Sequence, residues 1–242
     1  MRALFKLIIV VVLLLIAGAS AVFYEYEQSV SAVGNLNGSY NILLLCDDPT
    51  EDNGTEGIGS VDMAFVLNVT DGKVMNVTTI YPGGLRSAVY TEPTGLGSGM
   101  LLLHDSLYGV NTTFGAERAQ EIVEYNKGIK TDVVVMVTPD AVDALLAAVG
   151  PIEVNGQNQT ITDSIGYIRN MTEQSTSTET RGEATSSIMN PIISAAEGNP
   201  TIYFNLAKVA IEQYHSGNIR VVPEDIVTQF AVDLGLKSVL GS

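Results

Sequence analysis

The chain has 242 residues, 46% of them apolar, enough to bury the core of one domain or at most two small ones and too many for a disordered polymer. Charged residues make up only 16%, and 12 basic against 27 acidic side chains leave a formal charge of −15. With no cluster of Lys or Arg to meet phosphates, nucleic acid is excluded as a partner. The single cysteine, Cys46, excludes an intramolecular disulfide and a cysteine-based zinc site.

Arg2 and Lys6 precede an apolar run over residues 7–23, about 26 Å long as a helix. Residues 3–5 extend it, with Lys6 snorkelling to the headgroups, far enough to cross a bilayer. Residues 1–23 therefore read as a transmembrane anchor, inserted through 3–23, or as a signal segment. In the second reading Ala17, Gly18, Ala19, Ser20 and Ala21 supply the small residues of a signal-peptidase site. No Lys or Arg lies between Lys6 and Lys73. The N-terminus is thus expected in the cytoplasm and the rest outside the cell membrane, or secreted if cut near Ala21. Seven N-glycosylation sequons, at Asn37, Asn53, Asn68, Asn76, Asn111, Asn158 and Asn170, favour an exported, glycan-covered surface, as an archaeal envelope protein would have.

Residues 24–39 are polar and read as a linker, and a single domain is expected over 40–242. Residues 41–46 form a continuous apolar run, the pattern of a strand buried on both faces. Residues 47–59 read as an acidic loop. Residues 61–69 and 73–81 flank Thr70, Asp71 and Gly72 as a hairpin, with Asn68 and Asn76 near its tip. Residues 82–99, rich in Gly, Pro, Ser and Thr, read as a long loop. A helix is predicted over 115–127, closed by Gly128, then a strand over 132–137 and a helix over 139–149 beginning at a proline. Residues 152–154 with 160–162 form a small β addition. Helices follow over 164–169, 181–196 and 201–215, then a strand over 219–222 and a helix over 224–234 stopped by Gly235. The alternation predicts a layered α/β/α domain with a central mixed sheet, preceded by one N-terminal transmembrane or signal helix.

Other constellations carry less. His104, Asp105 and Ser106 are adjacent and cannot form a triad with one another, so His104 reads as a hydrogen-bonded structural residue or a polar group lining a cleft. Gly95, Gly97 and Gly99 lack a following Walker lysine. The acids Asp47, Asp48, Glu51, Asp52 and Glu56 fail the EF-hand spacing and read as solvated. Cys46 reads as an inert core residue, and the distant pair His104 and His215 makes a histidine-based metal site a poor reading.

The order of segments over roughly residues 40–235 resembles the LytR-CpsA-Psr family of envelope proteins, and a related group of archaeal and actinobacterial domains of unknown function. The run from Asn41 to Asp48 resembles the family's opening strand and its Gly-x-Asp-x-Arg ending, with Asp48 at the acidic position. Ser60-Val61-Asp62-Met63 resembles Arg-Ser-Asp-Thr, with Asp62 at the acid. Gly150-Pro151-Ile152-Glu153-Val154 is similar to Gly-Gly-Val-x-Val. Tyr167-Ile168-Arg169 and Thr180-Arg181-Gly182-Glu183 resemble the late arginine motifs. The resemblance implies a lipid-linked glycan pyrophosphate held on arginines and Mg²⁺, the metal on Asp48 and Asp62 and the phosphates on Arg86, Arg169 and Arg181. His104 would line the pocket, and Asp62 and Arg181 would act on the reacting phosphate. Thr50, Ser60 and Gly83 stand where the family has arginines. Three readings follow: a non-catalytic binder of envelope glycans or polyprenyl pyrophosphate-linked precursors, an active Mg²⁺-dependent glycopolymer phosphotransferase, and a structural surface glycoprotein.

Overall fold

The computed structural model describes residues 39–51, 58–70, 73–154, 156–172 and 199–227. In chain order these form β1 (Ser39–Asp48), β2 (Ser60–Thr70), β3 (Lys73–Ile80), a 3₁₀ turn (Pro82–Gly84), β4 (Arg86–Thr91), β5 (Met100–Leu102), α1 (Thr112–Lys127) and β6 (Val133–Val137). They continue with α2 (Pro139–Val149), β7 (Ile152–Val154), β8 (Gln157–Gln159), α3 (Ser164–Thr172), α4 (Pro200–His215) and β9 (Ile219–Val222). The architecture is mixed α/β with a central mixed sheet of order β3-β2-β1-β6-β9. β1 pairs antiparallel with β2 and parallel with β6. The expected N-terminal helix, most of the linker and the helix over 181–196 lie outside the described residues, as does all but the start of the helix over 224–234. Among the described residues no helix is long and apolar enough to cross a membrane.

The described residues divide into two compact units, one built from the chain through Thr138 with Arg220–Ile226, the other containing Pro139–Ile219 and Val227. In the first, Ile42, Leu43, Leu44 and Leu45 are all fully buried, which is why the run is continuously apolar instead of alternating. Leu43 and Leu45 share a cluster with Ala64, Val66, Ile80, Val134 and Met136, closed over by Ala116, Ala119, Ile122 and Val123 of α1. Each of the larger side chains contributes about 1.5–3 kcal/mol by leaving water. Asn111 caps α1 through a hydrogen bond from the Phe114 N–H to its Oδ1 (2.9 Å), so the helix starts three residues before its predicted Gly115. It ends, as the sequence predicts, at Gly128, whose N–H donates to the Glu124 carbonyl.

In the second unit α2 packs against α4 and α3. Asp143 Oδ1 accepts from the Ser164 N–H (2.8 Å) at the start of α3, and Asn199 caps α4. The small hairpin pairs Val154 with Gln157, so its second strand is 157–159, not 160–162. Gly156, at φ +78° just before Gln157, takes the left-handed turn that this register needs.

Two further expectations are corrected. Residues 82–99 are not a continuous loop: they contain β4, paired with β5. Ser87 Oγ donates to Glu121 Oε2 (2.5 Å) and the Ala88 N–H to Glu121 Oε1 (3.0 Å), so a glutamate of α1 takes the place of a neighbouring strand. Asp47 and Asp48 belong to β1 instead of an acidic loop and are only 5% and 3% exposed. Gly59, just before β2, has φ +131°, and a Cβ there would stand 2.8 Å from the Asp48 carbonyl oxygen. Replacing Gly59 by Ala is therefore expected to destabilise the fold by about 1–3 kcal/mol. Urea unfolding measures this, and an unchanged midpoint would contradict the close approach.

Candidate functional site

The C-terminal end of β1 and the start of β2 meet in a bulge. Cys46 pairs with Met63 but Asp47 with Val61, so Asp62 is the extra residue, set off the regular ladder. Asp48 lies opposite Ser60, and its Oδ1 accepts hydrogen bonds from the Thr50 N–H (2.9 Å) and the Thr50 hydroxyl (2.6 Å). Asp47 Oδ1 is buried without a hydrogen-bond partner. Burial pushes the Asp47 carboxyl up to about 7. The positive charge of Arg220 on β9 and a hydrogen bond from its own backbone oppose this, while Asp48 adds to it. Cys46 is raised to about 12 by burial first, then by the negative charges of Asp47 and Asp62. It is a protonated thiol at neutral pH, in keeping with its reading as inert.

His104 is fixed beside this bulge by reciprocal bonds to Val61. The Val61 N–H donates to the His104 carbonyl (2.9 Å), and the His104 Nδ1 lies 3.0 Å from the Val61 carbonyl. A carbonyl only accepts, so Nδ1 carries the proton. Nε2 then faces Glu51 Oε2 at 3.3 Å and Asp105 Oδ1 at 4.0 Å. Burial raises the Asp105 carboxyl. The charge of His104 lowers it, Glu51 raises it and Arg86 lowers it. His104 and Arg86 are thus brought into one electrostatic neighbourhood. Arg86 is half-exposed, and its guanidinium donates to the Met100 carbonyl. It also lies 3.6 Å from Glu92, whose side chain is 4% exposed.

Asp48, Asp62, Arg86 and His104 therefore belong to one unit. Arg169 lies on α3 of the other, exposed to solvent, and Arg181 is outside the described residues. Among the described residues no group of three His, Cys, Asp or Glu side chains is disposed to hold a metal ion. Residue reasoning missed Asp47, Glu51 and Asp105 as partners in the site, and Arg220. The signal for Arg220 was a lone cation among Ile219, Val221 and Val222.

Of the sequons, Asn37 and Asn53 lie outside the described residues, and Asn76, Asn111, Asn158 and Asn170 are exposed. Asn68 is half-buried opposite Asn76. Its Nδ2, the atom a glycan would join, donates to Asn41 Oδ1 (3.0 Å).

The folded state keeps the Asp47 proton up to about pH 7, whereas an unfolded chain releases it near 3.8. Ionisation therefore works against the fold. Stability from this group is full below about pH 4 and falls as pH rises toward 7, by up to about 4 kcal/mol. Asp47→Asn is expected to melt like the wild type at pH 4 in EDTA and progressively above it from pH 5 to 8. Parallel melting profiles would contradict the buried, ionising carboxyl.

No curated protein matches the sequence. Among solved structures, the chain is similar to protein gbs0355 from Streptococcus agalactiae, with a TM-score of 0.58 and 16% identity, covering 84% of this chain and 74% of that one. It is also similar to TagV of B. subtilis, with a TM-score of 0.51 and 17% identity, covering 84% and 82%. These likenesses show a LytR-CpsA-Psr-like fold. A family model described as a protein of unknown function, DUF4012, matches residues 37–172, more than half of the sequence, and the chain belongs to that family.

Proposed function

We propose that this chain is an extracytoplasmic envelope protein whose LytR-CpsA-Psr-like domain binds polyprenyl pyrophosphate-linked glycan precursors through Mg²⁺. Residues 3–23 hold it in the membrane with the N-terminus cytoplasmic, or direct its export before a cut near Ala21, and its sequons carry glycans on an archaeal cell surface. The domain is layered α/β/α around the mixed sheet.

The observation that carries the reading is the buried oxygen of Asp47 that lacks a donor, at the acidic end of β1. A buried carboxylate oxygen with nothing to bond is costly, and a cation relieves it where an anion would not. The acidic end of β1, with Asp62 of the bulge, offers hard oxygen donors that fit Mg²⁺. That ion takes one or two carboxylates and fills its remaining positions with water and phosphate. When bound, the ion would neutralise two adjacent phosphates. The chain's own residues would do the rest. Arg169 and Arg181 would grip phosphate bidentately. Arg86, held by Glu92, and His104, held by Val61, would line the headgroup pocket.

A second reading, phosphotransfer, is favoured by the bulge that sets Asp62 apart from the ladder, since bulges recur beside active sites. In it, an acceptor hydroxyl attacks the glycan-bearing phosphorus, its proton passes to solvent and polyprenyl phosphate departs, with Asp62 and Arg181 acting on the reacting phosphate. Lipid extraction and mass spectrometry of the purified full-length protein test the first reading, and an isoprenoid pyrophosphate is expected. Turnover with Mg²⁺ and a polyprenyl pyrophosphate glycan, falling at least a hundredfold in Asp62→Ala, would establish transfer. Retention without turnover leaves a binder. Protein free of isoprenoid and unable to take up an added one overturns both and leaves a structural glycoprotein.

A further inference from the structure

The resemblance to the LytR-CpsA-Psr family assigns the metal-binding acid of the first strand to Asp48, but the two neighbouring carboxylates have unlike surroundings. Asp48 Oδ1 already accepts two hydrogen bonds from Thr50, the residue that stands where the family has arginine. Asp47 is 5% exposed and its Oδ1 accepts nothing. Consecutive side chains of a strand point to opposite faces, so adjacent acids do not naturally converge on one ion. Of the two Oδ1 atoms, that of Asp48 is taken by Thr50 and that of Asp47 has no hydrogen bond.

We propose that Asp47, and not Asp48, is the β1 carboxylate that ligates a divalent cation in this chain. The inference rests on the reading above and deepens it by moving the metal-facing ligand one residue along the strand.

Two further observations bear on the placement. Asp62 is the extra residue of the bulge that stands across from Cys46 and Asp47, so the two acids come from facing strand ends. Arg220 offsets part of the Asp47 charge without donating to Oδ1, so that buried oxygen keeps no hydrogen-bond partner. Glu92 Oε2 is also without a hydrogen bond, but that carboxylate is tied by the Leu102 N–H at 2.9 Å and by Arg86 at 3.6 Å. Both ties are to Oε1, and what sets Glu92 apart is its place beside the Arg86 guanidinium and not at the acidic end of β1.

The test is titration of the full-length protein in detergent with Mn²⁺ alone, read by the electron paramagnetic resonance signal of the free ion at pH 7.5, for the wild type, Asp47→Asn and Asp48→Asn. The wild type is expected to bind one ion, Asp47→Asn to bind it at least tenfold more weakly, and Asp48→Asn to stay within about threefold of the wild type. Thermal melting in EDTA accompanies each titration. Asp47→Asn should melt no lower than the wild type, which separates a lost ligand from a lost fold. Wild-type affinity in Asp47→Asn, loss of binding in Asp48→Asn alone, or no binding by the wild type each overturns the proposal. Mn²⁺ binding through Asp47 in a protein that retains no isoprenoid would leave this proposal standing and remove the lipid-linked reading. Isoprenoid retention with an indifferent Asp47→Asn would do the reverse.

Discussion

The rest of the structure depends on the pairing of β1, which is hydrogen-bonded on both sides, antiparallel to β2 and parallel to β6. That position leaves Ile42 to Leu45 no contact with water and commits both faces of the strand to apolar packing. It also drives the end of the strand, Asp47 and Asp48, out of solvent. The strand cannot stop earlier without forfeiting its ladder with Val61 and Ser60. The acids are therefore buried as a consequence of sheet topology, and the chain answers each differently. Thr50 supplies donors to Asp48, whereas Asp47 is met by the charge of Arg220 and its own backbone, with its Oδ1 left without a donor.

Net charge sharpens what such a site can bind. A protein with formal charge −15 repels anions at long range, and the described cations near the bulge have partners: Arg86 has Glu92, and Arg220 acts on Asp47. A pyrophosphate approaching these strand ends meets carboxylates first. A divalent cation shared between protein and phosphates reconciles the acidic surface with an acidic ligand. A chain with arginines at positions 50, 60 and 83 would rely on the cation less.

Much of the fold was legible because its signals are local. The continuous apolar run of β1, the hairpin of β2 and β3, and the Gly128 stop of α1 each follow from a few adjacent residues. What escaped depends on distant partners. β4 hides among glycines and prolines, and the partner of its Ala88 N–H and Ser87 hydroxyl is Glu121, more than thirty residues away. Asp47 and Asp48 read as solvated because acids are seldom buried, and only the pairing of β1 with β2 reveals that they are. In the site, Asp62 and His104 were singled out by residue type and resemblance. The attachment of His104 to Val61, the neighbour of Asp62, is a product of tertiary structure. Arg220 was visible as a charge inside an apolar strand, but nothing in sequence spacing ties it to a residue more than 170 positions earlier.

In the proposed function a divalent cation would couple the acidic strand ends to a pyrophosphate. The most direct measurement is calorimetric titration of the full-length protein with geranylgeranyl pyrophosphate, once with Mg²⁺ and once in EDTA. Saturable binding with Mg²⁺ that disappears in EDTA is the expected result. Equal binding under both conditions would contradict the account, and so would no binding under either.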